Sequence, residues 1–190
     1  MSFEVTRHPV GSRASDLKPG DFILVHSFGK LAPRLIGFGQ KLHHKPEFSY
    51  WTHAAVYIGP HPDDEKISRF YDQDWLIEAK GGQKVRAVSL SQYDARDYAA
   101  VHFDLPPDSP MRENAVGFTH SRLGEGYGYW TILSLAIWSL FGGRLTLGLS
   151  GGDVCSGLAA QNVMYLGEIF SGDAVETEPA DLAQKYNVRR

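Results

Sequence analysis

A single cysteine, Cys155, stands in this chain of 190 residues. One thiol closes no internal disulfide and leaves no second thiolate for a zinc ribbon, so neither a disulfide scaffold nor a cysteine-rich metal module describes the protein. Blocks of Lys or Arg are missing as well. With 19 basic residues against 22 acidic ones, the formal charge is −3, and there is no electrostatic footprint for nucleic acid. The opening stretch MSFEVTRHPVGSRASDLKPG lacks the apolar core of a secretory signal. Synthesis and initial retention in the cytosol are therefore expected, with any target outside reached by another route. Long hydrophobic runs are absent too. The most apolar segment covers thirteen residues, Tyr129 to Phe141, where a spanning helix needs about 20. It reads as a buried helix, although Trp130 and Trp138 suit a lipid-facing or substrate-facing surface and a weak membrane contact. No internal repeat, low-complexity tract or long linker divides the chain, and one domain over residues 1–190 is expected.

The composition, 43% hydrophobic and 22% charged, is that of an ordinary globular protein. Its first half carries strand signals. GDFILVH (Gly20 to His26) follows a Pro-Gly turn, and THAAVYIG (Thr52 to Gly59) is β-branched and aromatic. DWLIEAK (Asp74 to Lys80), KVRAVSL (Lys84 to Leu90) and YAAVHFDL (Tyr98 to Leu105) are short and bounded by turn residues, the first two being joined by Gly81 and Gly82. Such spacing predicts a meandering antiparallel sheet. After PPDSP the period becomes helical, from Met111 to Leu123. Another helix is expected to start near Asp153, a good N-cap, with Ala159, Val163, Leu166 and Phe170 recurring along it. EPADLAQKY suggests a short last helix with Pro179 in its first turn. The fold class predicted is α+β, an antiparallel sheet followed by the helices that cover it. Phe28 to Tyr50 is mixed in character and fits a loop over a cleft or a surface insertion.

In GGDVCSGLAAQ, Cys155 falls in the first turn of the expected helix. Unpaired backbone N–H groups and the positive end of the helix dipole stabilise a thiolate there, lowering the pKa from about 8.5. A cysteine hydrolase also needs a histidine to hold that thiolate and protonate the leaving group, and a polar residue to orient the imidazole. Eight histidines are present. His53 opens a buried strand, sharing a face with Ala55 and Tyr57 by alternation, while Ala54, Val56 and Ile58 take the other. Glu78 is a carboxylate inside an apolar strand, where an unpaired charge is costly, so a partner such as an imidazolium is expected. His26 at the end of the first strand, and His102 with Asp104 two positions on, are rivals. His43 and His44 read as loop residues, and His8, His61 and His120 lack supporting context. HHKPE and HPDDE (His61 to Glu65) hold metal-ligand residue types without a recognised ligand spacing, so neither a metal nor a cofactor is expected. On the residues alone, a buried inert thiol and a nucleophile stand on comparable footing.

DVCSGLAA resembles the nucleophile motif of the NlpC-type cell-wall peptidase superfamily, whose papain-like domains carry Asp-x-Cys-Ser-Gly-Leu or close variants at a helix start. In the usual members the cysteine helix precedes the histidine strand. Here WTHAAVYIG and LIEA come first and CSGLAA last. That order is similar to the circularly permuted branch, which includes bacterial permuted papain-fold amidases and the lecithin:retinol acyltransferase-like proteins. The likeness extends from KPGDFILVH through the glycine and tyrosine cluster LGEGYGYW to EPADLAQKY. It implies a permuted papain-like fold with Cys155 as nucleophile, His53 as general base and acid, and Glu78 as the third polar residue. It also implies that Tyr127 or Tyr129 supports the oxyanion, together with the backbone N–H of Cys155.

The expected activity is an amide hydrolase working through a thioester, with peptidoglycan stem peptides as the substrate the resemblance implies. An effector delivered to the periplasm or to a target cell, by a secretion apparatus and with an immunity protein as partner, is a context that fits. Two alternatives remain. One is a hydrolase or acyltransferase acting on lipid or other acyl amides and esters. The other is a non-catalytic binding module in which Cys155 is inert.

Overall fold

A computed structural model describes residues 1–26, 40–41, 44–59, 74–79, 84–126, 155–170, 174 and 177–190. Six strands form one sheet: β1 (Phe3–His8), β2 (Phe22–Val25), β3 (His53–Gly59), β4 (Trp75–Glu78), β5 (Arg86–Ser89) and β6 (Tyr98–Phe103). A 3₁₀ turn, Leu90–Tyr93, follows β5. Among the described residues the helices are α1 (Pro110–Ser121), α2 (Cys155–Tyr165) and α3 (Pro179–Lys185). The architecture is α+β.

All pairings are antiparallel and the strand order is β1-β6-β2-β3-β4-β5. From β2 to β5 the sheet is the expected meander. At β6 the chain instead returns across the sheet to the outer side of β2, and β1 adds itself beyond, with Phe3 opposite Phe103. The sequence reading placed no strand in the first ten residues. FEVTRH is an exposed edge strand of mixed polarity, so no single buried face marks it.

The predicted alternation along β3 holds. Ala54 and Val56 pack with Ala159, Ala160 and Val163 of α2, while Ala55 and Tyr57 face Leu76, Val88, Leu90 and Tyr93. Helix α2 is buried along most of its length, and its small Gly157, Ala159 and Ala160 allow close approach to the sheet. Two polar links fix it there: Asn162 Nδ2 donates to the Gly20 carbonyl at 2.8 Å, and Thr119 Oγ1 of α1 donates to Asn162 Oδ1 at 3.1 Å. Gly20 has φ +93° at the turn into β2, and a Cβ there would lie 3.3 Å from Leu166, so this turn admits glycine best. Helix α1 is capped by Ser109 with Pro110 in its first turn. Helix α3 begins with Pro179 behind a capping box made by Glu178 and Asp181.

Among the described residues the deepest charges are Asp21 and Arg112, at 0% and 1% exposure. Arg112 Nη1 lies 2.9 Å from Asp21 Oδ1 and also donates to the Pro19 carbonyl, and Nη2 donates to the Phe103 carbonyl at 2.6 Å. Phe103 N–H and Lys18 N–H donate to the same carboxylate. One ion pair thus joins α1 to the start of β2 and the end of β6.

Removing one partner of such a pair leaves a buried charge uncompensated, at a cost of about 3–5 kcal/mol. Arg112→Leu is expected to lower the urea unfolding free energy by that amount. Arg13→Ala, which loses an exposed pair with Asp94, is expected to cost at most about 1 kcal/mol.

Candidate active site

Glu78, the last residue of β4, has a side chain only 3% exposed. A carboxylate so placed must be saturated with donors. Arg86 meets one oxygen, with Nε at 3.0 Å and Nη2 at 2.7 Å from Oε1. The other oxygen, Oε2, accepts from the Tyr93 hydroxyl and lies 2.7 Å from His53 Nε2. Arg86 arrives by strand register, being the cross-strand partner of Glu78 in the β4–β5 pair. Tyr93 ends the 3₁₀ turn that follows β5, and its hydroxyl is also 3.2 Å from His53 Nε2.

His53 is the first residue of β3. With Nε2 held by Glu78, Nδ1 is the ring nitrogen left to serve another group. Cys155, the first described residue of α2, neighbours the ring, and the charge and hydrogen bonding of each group act on the other. Backbone groups of Ala54 and Ser156 also hydrogen-bond the sulfur. The cysteine, histidine and glutamate singled out in the sequence therefore form one connected chain, sulfur to imidazole to carboxylate.

The electrostatics follow from these contacts. Burial disfavours charge on His53, but the neighbouring sulfur, through its charge and hydrogen bond, and then Glu78 outweigh it and raise the pKa to about 9. Burial likewise pushes the Cys155 thiol up, yet the charge and hydrogen bond of His53, followed by the Ala54 and Ser156 backbone, leave it below its ordinary value. For Glu78 the penalty of burial is overcome by His53 first and then by Tyr93 and Arg86, so the carboxyl is held well below the usual range. Burial and then the Glu78 carboxylate push the Tyr93 phenol well above its ordinary value, keeping it a donor. Sulfur and imidazole thus each favour the charged form of the other, and the Glu78 anion stands behind the imidazole.

The rival histidines are occupied elsewhere. His26 Nδ1 is 2.6 Å from the Tyr50 carbonyl, and its ring stacks on Tyr50 at 3.8 Å. His102 does not pair with Asp104, which instead accepts from Ser2 Oγ. Its Nδ1 faces Asp21 Oδ2 at 3.3 Å and its Nε2 faces Thr6 Oγ1 at 2.8 Å, because the register of β1 and β2 against β6 brings those side chains beside it. His8 bonds the same threonine, and His120 is in the last turn of α1. His43, His61, Asp153, Tyr127, Tyr129 and the apolar segment from Tyr129 to Phe141 lie outside the described residues, as does most of the stretch from Phe28 to Tyr50. Among the described residues, no helix is long and apolar enough to cross a membrane.

Arg86 and Tyr93 are the members of the network that the sequence reading missed. For Arg86 a signal existed: a hairpin between the two predicted strands, centred on the glycines at 81 and 82, sets opposite charges face to face. Tyr93 had none, since its approach depends on the 3₁₀ turn.

Compared with models of known protein families and with curated proteins, the chain matches none.

The thiol is lowered and the imidazole raised to about 9. Ultraviolet thiolate absorbance, taken as wild type minus Cys155→Ala, is expected to appear at lower pH than that of an ordinary thiol with a pKa of about 8.5. In His53→Ala the signal is expected to move to higher pH, since only the Ala54 and Ser156 backbone then opposes burial. An unshifted signal in that variant would contradict the pairing.

Proposed function

We propose that the protein is a cysteine hydrolase that cleaves an amide bond through a thioester, with peptide stems of peptidoglycan as its substrate. What carries this reading is the set Cys155, His53 and Glu78, in which Glu78 holds the imidazole and sulfur and imidazole each favour the charged form of the other. An inert core cysteine calls for no such partner, so the set also weighs against a purely binding module.

In the proposed reaction the Cys155 thiolate attacks the acyl carbonyl. Backbone N–H groups at the start of α2, that of Cys155 among them, receive the developing oxyanion. His53, protonated and held by Glu78, gives its proton to the departing amine and leaves the acyl group on sulfur. The now neutral imidazole then takes a proton from water, which attacks the thioester and releases the acid. Arg86 and Tyr93 hold Glu78 anionic and aimed at Nε2, so they act as positioning residues.

The family reading belongs to the same proposal. Chain order here runs histidine strand, glutamate strand, cysteine helix, as in the circularly permuted branch of the NlpC-type superfamily, and DVCSGLAA supports it. The lipid alternative drew on the segment from Tyr129 to Phe141, which lies outside the described residues, and no described feature favours it.

Purified protein is expected to release soluble fragments from isolated sacculi, with Cys155→Ala at background and His53→Ala slowed by about 10²–10⁴-fold. Glu78→Gln is expected to lower kcat/KM and shift the alkaline limb of the pH profile to lower pH, since the imidazolium loses its anion. Equal release by wild type and Cys155→Ala would overturn the proposal.

A further inference from the structure

The motif HHKPE has no ligand spacing of its own, yet the fold brings His44 against the start of α3. His44 Nε2 lies 3.4 Å from Asp181 Oδ1 and 3.5 Å from Glu178 Oε2. One ligand-type atom from each of these three residues lies within 4.8 Å of the other two.

The spacing is informative. Two donor atoms that share a tetrahedral zinc at about 2.0–2.2 Å stand roughly 3.3–3.6 Å apart, which is the separation of His44 Nε2 from each of the two carboxylate oxygens.

Each side chain is also oriented from behind, as metal ligands are. Gln184 Oε1 lies 3.3 Å from His44 Nδ1 and accepts its proton, which leaves Nε2 as the ligand nitrogen. Asp181 Oδ2 accepts from the Glu178 N–H at 2.8 Å, which leaves Oδ1 turned to His44. The Glu178 carboxylate accepts the Asp181 N–H in the capping box while its Oε2 faces His44. The His44 and Glu178 side chains are 13% and 10% exposed, and Asp181 is 44% exposed. Two ligands are thus largely withdrawn from solvent, and the third stands at a side open to water.

We propose that His44, Glu178 and Asp181 form a binding site for one zinc-class divalent cation, with water completing the coordination. One imidazole and two carboxylates match the donor preference of zinc and neutralise its charge. The ion would clamp the segment leading into β3 onto α3. That segment already meets the C-terminal residues through Trp51 Nε1, which donates to the Val188 carbonyl at 2.8 Å, and through Arg190 N–H, which donates to the Glu47 carbonyl. The site does not depend on the hydrolase reading.

The test is titration of zinc chloride into chelator-treated full-length protein by calorimetry, with Co²⁺ as the optical probe. One equivalent of zinc is expected to bind with a rise in Tm, because the ion favours the folded state. Co²⁺ is expected to give ligand-field bands without a thiolate charge-transfer band. His44→Ala and Glu178→Gln are each expected to bind zinc at least tenfold more weakly and to lose the rise in Tm. Glu178→Gln keeps an oxygen acceptor for the capping box, so it serves if His44→Ala does not fold. The proposal is overturned by absence of saturable binding to the wild type, by unchanged affinity in the folded variants, or by a charge-transfer band placing the metal on Cys155.

Discussion

Glu78 sits at the end of an apolar strand with almost no contact with water, and the organisation of the surrounding groups follows from the need to satisfy it. Four donor atoms converge on its two oxygens, from Arg86, Tyr93 and His53. Because Arg86 and Tyr93 keep the carboxylate charged, His53 is held by an anion that does not compete for its proton. The ring is thereby fixed through Nε2, and Nδ1 becomes the nitrogen available to sulfur. A neutral residue at position 78 would remove the anion on one side of the imidazole and lower its pKa, leaving the sulfur and the Tyr93 hydroxyl to hold the ring. Glu78 therefore bears on Cys155 only through the imidazole, beside the direct effects of His53 and the Ala54 and Ser156 backbone.

The sheet and α2 supply the geometry for that relay. Helix α2 packs on β3 through residues small enough for close approach, and buried polar links from Asn162 prevent it from sliding along the sheet. The Asp21–Arg112 pair joins the far side of the sheet to α1, against which Asn162 is held. Both devices are polar and buried, so they specify one arrangement where apolar packing alone would tolerate several.

Much of this was legible in local pattern. Five strands announced themselves as short β-branched or aromatic runs between turn residues, and the change of period after PPDSP marked the helices. Cys155, His53 and Glu78 stood out because each was anomalous where it lay: a lone thiol at a helix start, an imidazole opening a buried strand, a charge within an apolar one. What local pattern did not carry was long-range pairing. β1 is polar and exposed on much of its length, so only its register against β6 identifies it. The partnership of His102 with Asp21 in place of Asp104 depends on strands distant in sequence lying side by side. The same holds for His44, whose partners come from the opposite end of the chain.

Nitrogen-15 NMR of the His53 ring, followed through a pH titration of the wild-type protein and of Cys155→Ala, tests the central claim most directly. The account predicts that both ring nitrogens of the wild type remain protonated through neutral pH and titrate near pH 9, and that loss of the sulfur lowers this value. A His53 ring already neutral at pH 7, or one whose titration ignores the removal of Cys155, would contradict it.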